Sequence, residues 1–293
     1  MTTSGRSGEL AFRRALRRAG GVLARPLPWI GHGDPWAVLV SEVMLQQTST
    51  ARVVGPWTAF LERFPTPTAC ADASLADVLR AWSRLGYPRR ARALHRAARV
   101  VRDEFAGRVP GHVEDLRRLP GVGPSTAAAV ASFAFGERVA VLDTNVGRVL
   151  ARAVANAALT PSAARELATR LLPRDAAPAF NQAIIDLGAQ YCRAIPRCAT
   201  CPLRRTCRWR AEGGDDPAPR SAGVSRPQPT FAGSNRQIRG WVMGELRQGP
   251  RDLAVLAARI APRDRPRLTT AIEGLVTDGL VERTARGVSL AEG

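Results

Sequence analysis

The chain has no lysine. All 43 of its basic side chains are arginine, set against 25 acidic ones, for a formal charge of +18 over 293 residues. Without a side-chain amine no lysine Schiff base can form, and that route of covalent catalysis is excluded. Long hydrophobic runs are missing too. No stretch approaches the roughly 18 consecutive apolar residues of a membrane span, and Arg13, Arg14, Arg17 and Arg18 break up the N-terminal apolar segment. Neither membrane insertion nor export is expected, so the chain reads as cytoplasmic. Cysteine is scarce, at 5 residues.

What is present fits a folded protein with a polyanionic partner. An apolar share of 45% supports a packed core. The arginine excess suits phosphate, which a planar guanidinium grips with paired hydrogen bonds. Residues 211–230 are rich in Gly, Pro, Ser and Asp without periodic apolar pattern, and read as a linker. Residues 1–230 hold 33 arginines against 18 acids, and residues 231–293 hold 10 against 7, so the basic excess lies mainly in the larger part. The expected domains are therefore 1–210, a linker at 211–230, and a small module at 231–293.

Apolar residues recur at three- and four-residue spacings over Trp36–Gln46, Leu75–Leu85, Ala91–Phe105, Thr126–Phe135, Val146–Val154 and Phe180–Gln190. Alternating patterns are scarce, which makes the larger domain all-α. The tail shows helical patterns near Arg236–Arg247, Arg251–Ile260 and Arg267–Val276, then β-like pieces at Leu280–Glu282 and Gly287–Leu290. That order resembles a small winged helix, a module that binds DNA in some proteins and serves packing in others.

Four of the five cysteines, Cys192, Cys198, Cys201 and Cys207, fall within 16 residues in the spacing C-x5-C-x2-C-x5-C. Four thiolates so close in sequence can converge on one soft metal centre, and both zinc and an iron–sulfur cluster accept such a set. Arg193, Arg197, Arg204, Arg205 and Arg208 make this loop basic enough to meet a phosphate backbone as well. Cys70 stands apart and reads as a small core residue.

Three further features carry chemistry. In the run Leu119–Ala127, Gly121 and Gly123 permit a tight turn and Pro124 suits the first position of a helix. The result is either an ordinary helix corner or a phosphate cradle of N–H groups beside a positive helix end. Glu42 lies among Val38, Leu39, Leu45 and Gln46, where an apolar environment would keep a carboxyl protonated, although a polar stripe with Ser41 and Gln46 is the other reading. Asp143, between the apolar run Val139–Leu142 and a helical pattern, is placed as an N-cap, a position that favours its ionised form. One carboxyl tuned up and one tuned down suit cleavage of a glycosidic bond.

Together, Leu27–Trp29, Ser41–Thr48, Gly86–Tyr87, Leu119–Gly123, Leu142–Asn145, Phe180–Gln182, Asp186–Gly188 and the cysteine loop resemble the MutY family of adenine DNA glycosylases, within the helix-hairpin-helix glycosylase superfamily. The resemblance spans about residues 25–210. It implies a two-lobed all-α fold with a [4Fe–4S] cluster on the loop 192–207, followed here by the small winged-helix-like module. It also implies a monomer associated with the nucleoid that acts on double-stranded DNA carrying A:8-oxoG or A:G mispairs. In that family's terms Glu42 protonates adenine N7, Asp143 stabilises the oxocarbenium sugar, and Asn145 orients water or the sugar phosphate. Arg25 and Gln182 match positions that hold the extruded adenine, and Gln47 and Tyr87 match residues that wedge into the stack. Ser125 stands where related bifunctional enzymes such as endonuclease III carry a nucleophilic lysine, so a monofunctional glycosylase is expected. A module of 63 residues stands where many relatives carry a larger domain that reads 8-oxoguanine. The competing expectations are a thymine or uracil mismatch glycosylase and a non-catalytic DNA-binding protein built on a metal centre.

Overall fold

A computed structural model describes residues 3–224, 230–285 and 287–293. The chain forms two compact units, each assembled from separate stretches of sequence: residues 1–35, 111–116 and 123–227 in the first, and 36–110, 117–122 and 228–293 in the second. Residues 231–293 thus belong to the same unit as residues 36–110.

The first unit is built around the helices Thr3–Leu23, Pro124–Phe135, Thr144–Val149, Pro161–Leu171 and Ala177–Gln190. Phe12, Leu16 and Leu23 form one face of the first of these and bury it against Val149, Leu150, Leu171 and Leu187. Local chemistry sets the helix starts. The Thr160 side chain accepts from Ala163 N–H, with Pro161 at the first position, and Asp143 accepts from Val146 N–H. The helix from Thr144 widens into a π-helical segment, Leu150–Ala155, which carries the fully buried Arg152. The stretch expected to be a linker is not free over its described part. Asp216 pairs with Arg152, Ala218 and Ser221 are buried, and Ala222 N–H donates to Leu159 C=O. Residues 225–229 of that stretch lie outside the described residues.

In the second unit the helix Pro88–Glu104 packs Ala91, Leu94, Ala97, Ala98 and Val101 against Pro67–Asp72 and Leu75–Ala81, while Thr50–Arg63 and Pro35–Leu45 supply Trp57, Phe60 and Trp36. Residues 231–293 fold as helix Asn235–Leu246, strand β1 (Arg251–Asp252), helix Leu253–Arg259, helix Arg265–Thr277, and strands β2 (Val281–Arg283) and β3 (Gly287–Leu290). The sheet is antiparallel in the order β1-β3-β2, with Arg251 opposite Val288 and Val281 opposite Leu290. This is the winged-helix arrangement that the tail's pattern suggests. Its first strand, only two residues long, left no periodic trace.

The helix Thr50–Arg63 has no counterpart among the periodic segments. It contains Pro56, which the structure accommodates inside the helix. Among the described residues no helix is long and apolar enough to cross a membrane.

Candidate active site and cysteine cavity

In the first unit, Asp143 caps the helix Thr144–Val149. Its Oδ1 accepts from Val146 N–H at 2.7 Å and its Oδ2 from Asn145 Nδ2 at 2.8 Å. Asn145 is held in turn, because its Oδ1 accepts from Arg148 Nη2 at 2.6 Å. Arg148 also donates through Nε to the Cys192 carbonyl at 2.8 Å and through Nη2 to the Gly188 carbonyl. A continuous set of bonds therefore runs from the Asp143 carboxylate to the start of the cysteine loop.

The expectation that the cap keeps Asp143 at a low pKa needs correction. Burial pushes its carboxyl above the usual carboxylate range, and the Val146 N–H, the Asn145 amide and the Arg148 guanidinium pull it back only in part. A cap supplies fixed dipoles, but dehydration of the same oxygens is the larger effect here. Asn145, expected to orient water or a phosphate, spends its side chain on Asp143 and Arg148.

Arg25 and Gln182 meet on one carboxylate: Asp186 Oδ1 accepts from Arg25 Nε at 2.6 Å and from Gln182 Nε2 at 2.9 Å. Asp186 is 1% exposed. Burial raises its pKa, while the Arg25 charge and both hydrogen bonds lower it. The sequence marks Asp186 only as part of a motif and gives it no role, although its spacing of four from Gln182 on one helix was visible.

The other residues of interest lie in the second unit. Glu42 is half-buried on the helix Pro35–Leu45, flanked by buried Ser41, Val43, Val38 and Leu39. Arg90 collects the end of that helix, donating to the carbonyls of Val43, Met44 and Gln46 and to Thr48 Oγ1, with its guanidinium 5.1 Å from the Tyr87 ring centroid. Sequence reasoning passed over Arg90, one arginine among 43. Gln47 and Tyr87 both adopt left-handed backbone, φ 57° and 46°, a strained conformation for side chains of this size.

In the hairpin, Gly121 has φ 80° and a Cβ there would lie 2.7 Å from Ala93 Cβ, so glycine is required. Gly123 is different. It is extended at φ −84°, caps the helix Pro124–Phe135, and faces open space. The turn does not need it, contrary to the reading in which both glycines shape the turn. Ser125 is half-buried in the first turn of that helix.

Cys192, Cys198, Cys201 and Cys207 line one cavity with Leu187, Tyr191 and Leu203. Burial raises the thiols of Cys192 and Cys207, and that of Cys201 to about 11, with neighbouring cysteines adding to the effect. Such thiols stay protonated until a bound metal centre displaces their protons and holds the thiolates as ligands. Among the described residues no three His, Cys, Asp or Glu side chains gather closely enough to hold a metal ion, so the sulfurs surround a space and not a point. Arg152 braces the loop. Its guanidinium donates to the Arg193 and Ala194 carbonyls, approaches Cys192 Sγ at 3.6 Å, and pairs with both Asp216 oxygens at 2.8 and 2.6 Å. Cys70 is fully buried, with its thiol pushed up to about 12, as a core residue should be.

Residues 40–174 match the HhH-GPD superfamily of base excision DNA repair proteins. The chain is 46% identical over 274 residues to an adenine DNA glycosylase of Mycolicibacterium smegmatis, covering 90% of each. A solved thermostable thymine-DNA glycosylase superposes with a TM-score of 0.65 at 27% identity, over 71% of this chain and 98% of that one. A trapped endonuclease III–DNA covalent intermediate, at 24% identity, has the same fold, with a TM-score of 0.62 over 72% of this chain and 99% of that one.

Proposed function

This chain belongs to the adenine DNA glycosylase family, and from that premise we propose that it removes adenine mispaired with 8-oxoguanine or guanine in double-stranded DNA and leaves an abasic site. The observation that carries the reading is the match to an adenine DNA glycosylase along 90% of both chains. It acts as a monomer.

In this reading the adenine leaves the stack at a cost of a few kcal/mol, which phosphate contacts and wedging residues offset. Gln47 and Tyr87 supply the wedge, and their left-handed backbone presents them at the ends of two segments tied together by Arg90. Arg25 and Gln182, fixed by Asp186, hold the extruded base. Gly121, Gly123 and Ser125 take a phosphate; the open space beside Gly123 admits its close approach to the N–H groups of the following helix. Glu42 donates a proton to adenine N7. The C1′–N9 bond then breaks with its electron pair going to the purine, and the sugar is left as an oxocarbenium ion. Asp143 stabilises that cation, whose charge in turn favours the ionised carboxylate. Asn145 sets the Asp143 oxygens, and water completes the hydrolysis at C1′.

The four cysteines fit a [4Fe–4S] cluster, since they line a shared cavity together with apolar side chains and three arginines, Arg152, Arg204 and Arg210. When bound, the cluster fixes the fold of the loop 192–207, and the chemistry at the base does not pass through it. With no lysine in the chain and Ser125 at the helix start, cleavage proceeds by water without a covalent enzyme–sugar adduct.

Duplexes containing A opposite 8-oxoguanine and T opposite G separate the readings. Release of adenine is expected, with no adduct trapped by borohydride; release of thymine alone would overturn the assignment.

The raised pKa of Asp143 gives the reaction an acid limb. Its anion is needed, so the single-turnover rate should fall as pH drops through a value above the ordinary carboxylate 3.8. Arg148→Gln removes a cation that favours the anion and should move that limb to higher pH. The sign for stability is opposite: the folded state holds this proton more tightly, so Asp143's contribution to stability declines as pH rises from the ordinary range to the raised one. Rate–pH profiles of both proteins check the first point, and an unchanged limb in Arg148→Gln would refute it.

A further inference from the structure

Residues 231–293 are docked on the helix Pro88–Glu104 at its beginning, where Tyr87 serves as N-cap. Asp278, at the end of the helix Arg265–Thr277, is the centre of this contact. Its carboxylate pairs with Arg89 from the docking helix and with Arg239 from its own module, and its carbonyl accepts from Arg92 Nη1 at 2.8 Å. The next residue, Gly279, has φ 60°, and a Cβ there would fall 2.7 Å from Arg92 Cζ. Two further bonds fasten the module on the neighbouring helix: Arg247 Nε donates to the Leu79 carbonyl, and Leu75 N–H donates to Glu292 C=O at 2.9 Å.

The docking helix is also the one that orders the strained segments. Arg89 and Arg92 bracket Arg90, whose guanidinium gathers the carbonyls around Gln46 and lies against the Tyr87 ring. The chain from Asp278 to Tyr87 and Gln47 is therefore one helical turn long and lies within one compact unit.

We propose that the C-terminal module is a buttress for base extrusion, and that Asp278 and Gly279 are positioning residues which hold the Tyr87–Arg90 turn, and through it Gln47, in the geometry that opens the mispair. The inference rests on the adenine-glycosylase reading for the roles of Tyr87 and Gln47, and adds a function for residues 231–293 that acts through the protein and not through a DNA contact of their own.

The test uses the full chain with a duplex in which 2-aminopurine flanks a non-cleavable 2′-fluoro-adenosine opposite 8-oxoguanine, so that fluorescence rises as the stack opens. Asp278→Ala is expected to lower the stack-opening equilibrium and the single-turnover rate on cleavable substrate in parallel, by roughly ten- to a hundredfold, the usual scale of an ångström of misplacement. Affinity for a fully paired duplex should stay unchanged. Asp278→Asn, which keeps the shape and loses the charge, decides the matter if the alanine variant fails to fold. Arg265→Ala, on the exposed start of the module's last helix, should behave as the wild type. Wild-type opening in Asp278→Asn and in a folded Asp278→Ala overturns the proposal. So does an equal loss of affinity for every duplex with opening at saturation intact, because that pattern belongs to a direct DNA contact. A wild-type protein that opens the stack without releasing adenine would instead overturn the adenine reading and leave the buttress standing.

Discussion

Glu42→Gln is expected to lower adenine release from an A:8-oxoguanine duplex by at least about a hundredfold while leaving binding of that duplex intact. The substitution keeps the size and hydrogen-bonding reach of the side chain but removes its transferable proton. It should not disturb the helix Pro35–Leu45, whose packing rests on the fully or nearly fully buried Trp36, Val38, Leu39, Val40, Val43 and Met44. Three kinetic patterns are then distinguishable in single-turnover assays with a parallel binding titration. Loss of rate with binding retained supports general acid catalysis by Glu42. Loss of both would make Glu42 a binding group. Absence of base release from both proteins, with binding retained, would return the chain to the class of non-catalytic DNA-binding proteins.

How much of this arrangement was readable beforehand depends on the range of the interaction. Helix positions followed from apolar spacing because one buried stripe per helix is a local property: Val146, Val149, Leu150 and Val154 all enter the core as their spacing implies. The N-cap role of Asp143 was legible for the same reason, since its partner is three residues away. Its raised pKa was not. Desolvation depends on what the rest of the fold brings over the carboxyl, and the residue's neighbours in sequence pointed the other way. The pairing of Asp186 with Arg25 and the role of Arg90 were hidden by their long reach, as the first spans 161 positions and the second serves Met44 across 46. The stretch 211–230 misled by composition. Gly, Pro and Asp read as a free linker, yet Asp216 and Ser221 use that lack of regular structure to reach Arg152 and Leu159. Gly123 misled in the reverse sense, looking like a turn requirement where the backbone makes no such demand.

Gly188→Ala should be among the most damaging small substitutions in the first unit. In an exposed helix the same change stabilises by roughly 0.5–1 kcal/mol through helix propensity and the restricted unfolded chain. Gly20, inside the helix Thr3–Leu23 with nothing within 4 Å of a built Cβ, is expected to show that gain. At Gly188 a Cβ would fall 2.6 Å from Asn145 Cβ, 2.7 Å from Asn145 O and 2.8 Å from Asn145 C. Two of these atoms are backbone, so no rotamer change relieves the contact, and the helices Ala177–Gln190 and Thr144–Val149 must move apart. Overpacking of this kind costs about 1–3 kcal/mol, which outweighs the propensity gain. The melting temperature should fall by roughly 2–4 °C for each kcal/mol lost. The effect on rate should exceed the effect on stability, because the displaced residue is the one that fixes the Asp143 carboxylate and accepts from Arg148, which itself reaches the cysteine loop. An ångström of displacement there corresponds to a loss of about a hundredfold in single-turnover adenine release at a temperature where the variant is fully folded. Thermal melts of Gly20→Ala and Gly188→Ala, with rates measured below both transitions, check the opposite signs. A Gly188→Ala protein as stable and as fast as the wild type would mean that the two helices are not held at this spacing, and that Asn145 is not what sets the aspartate.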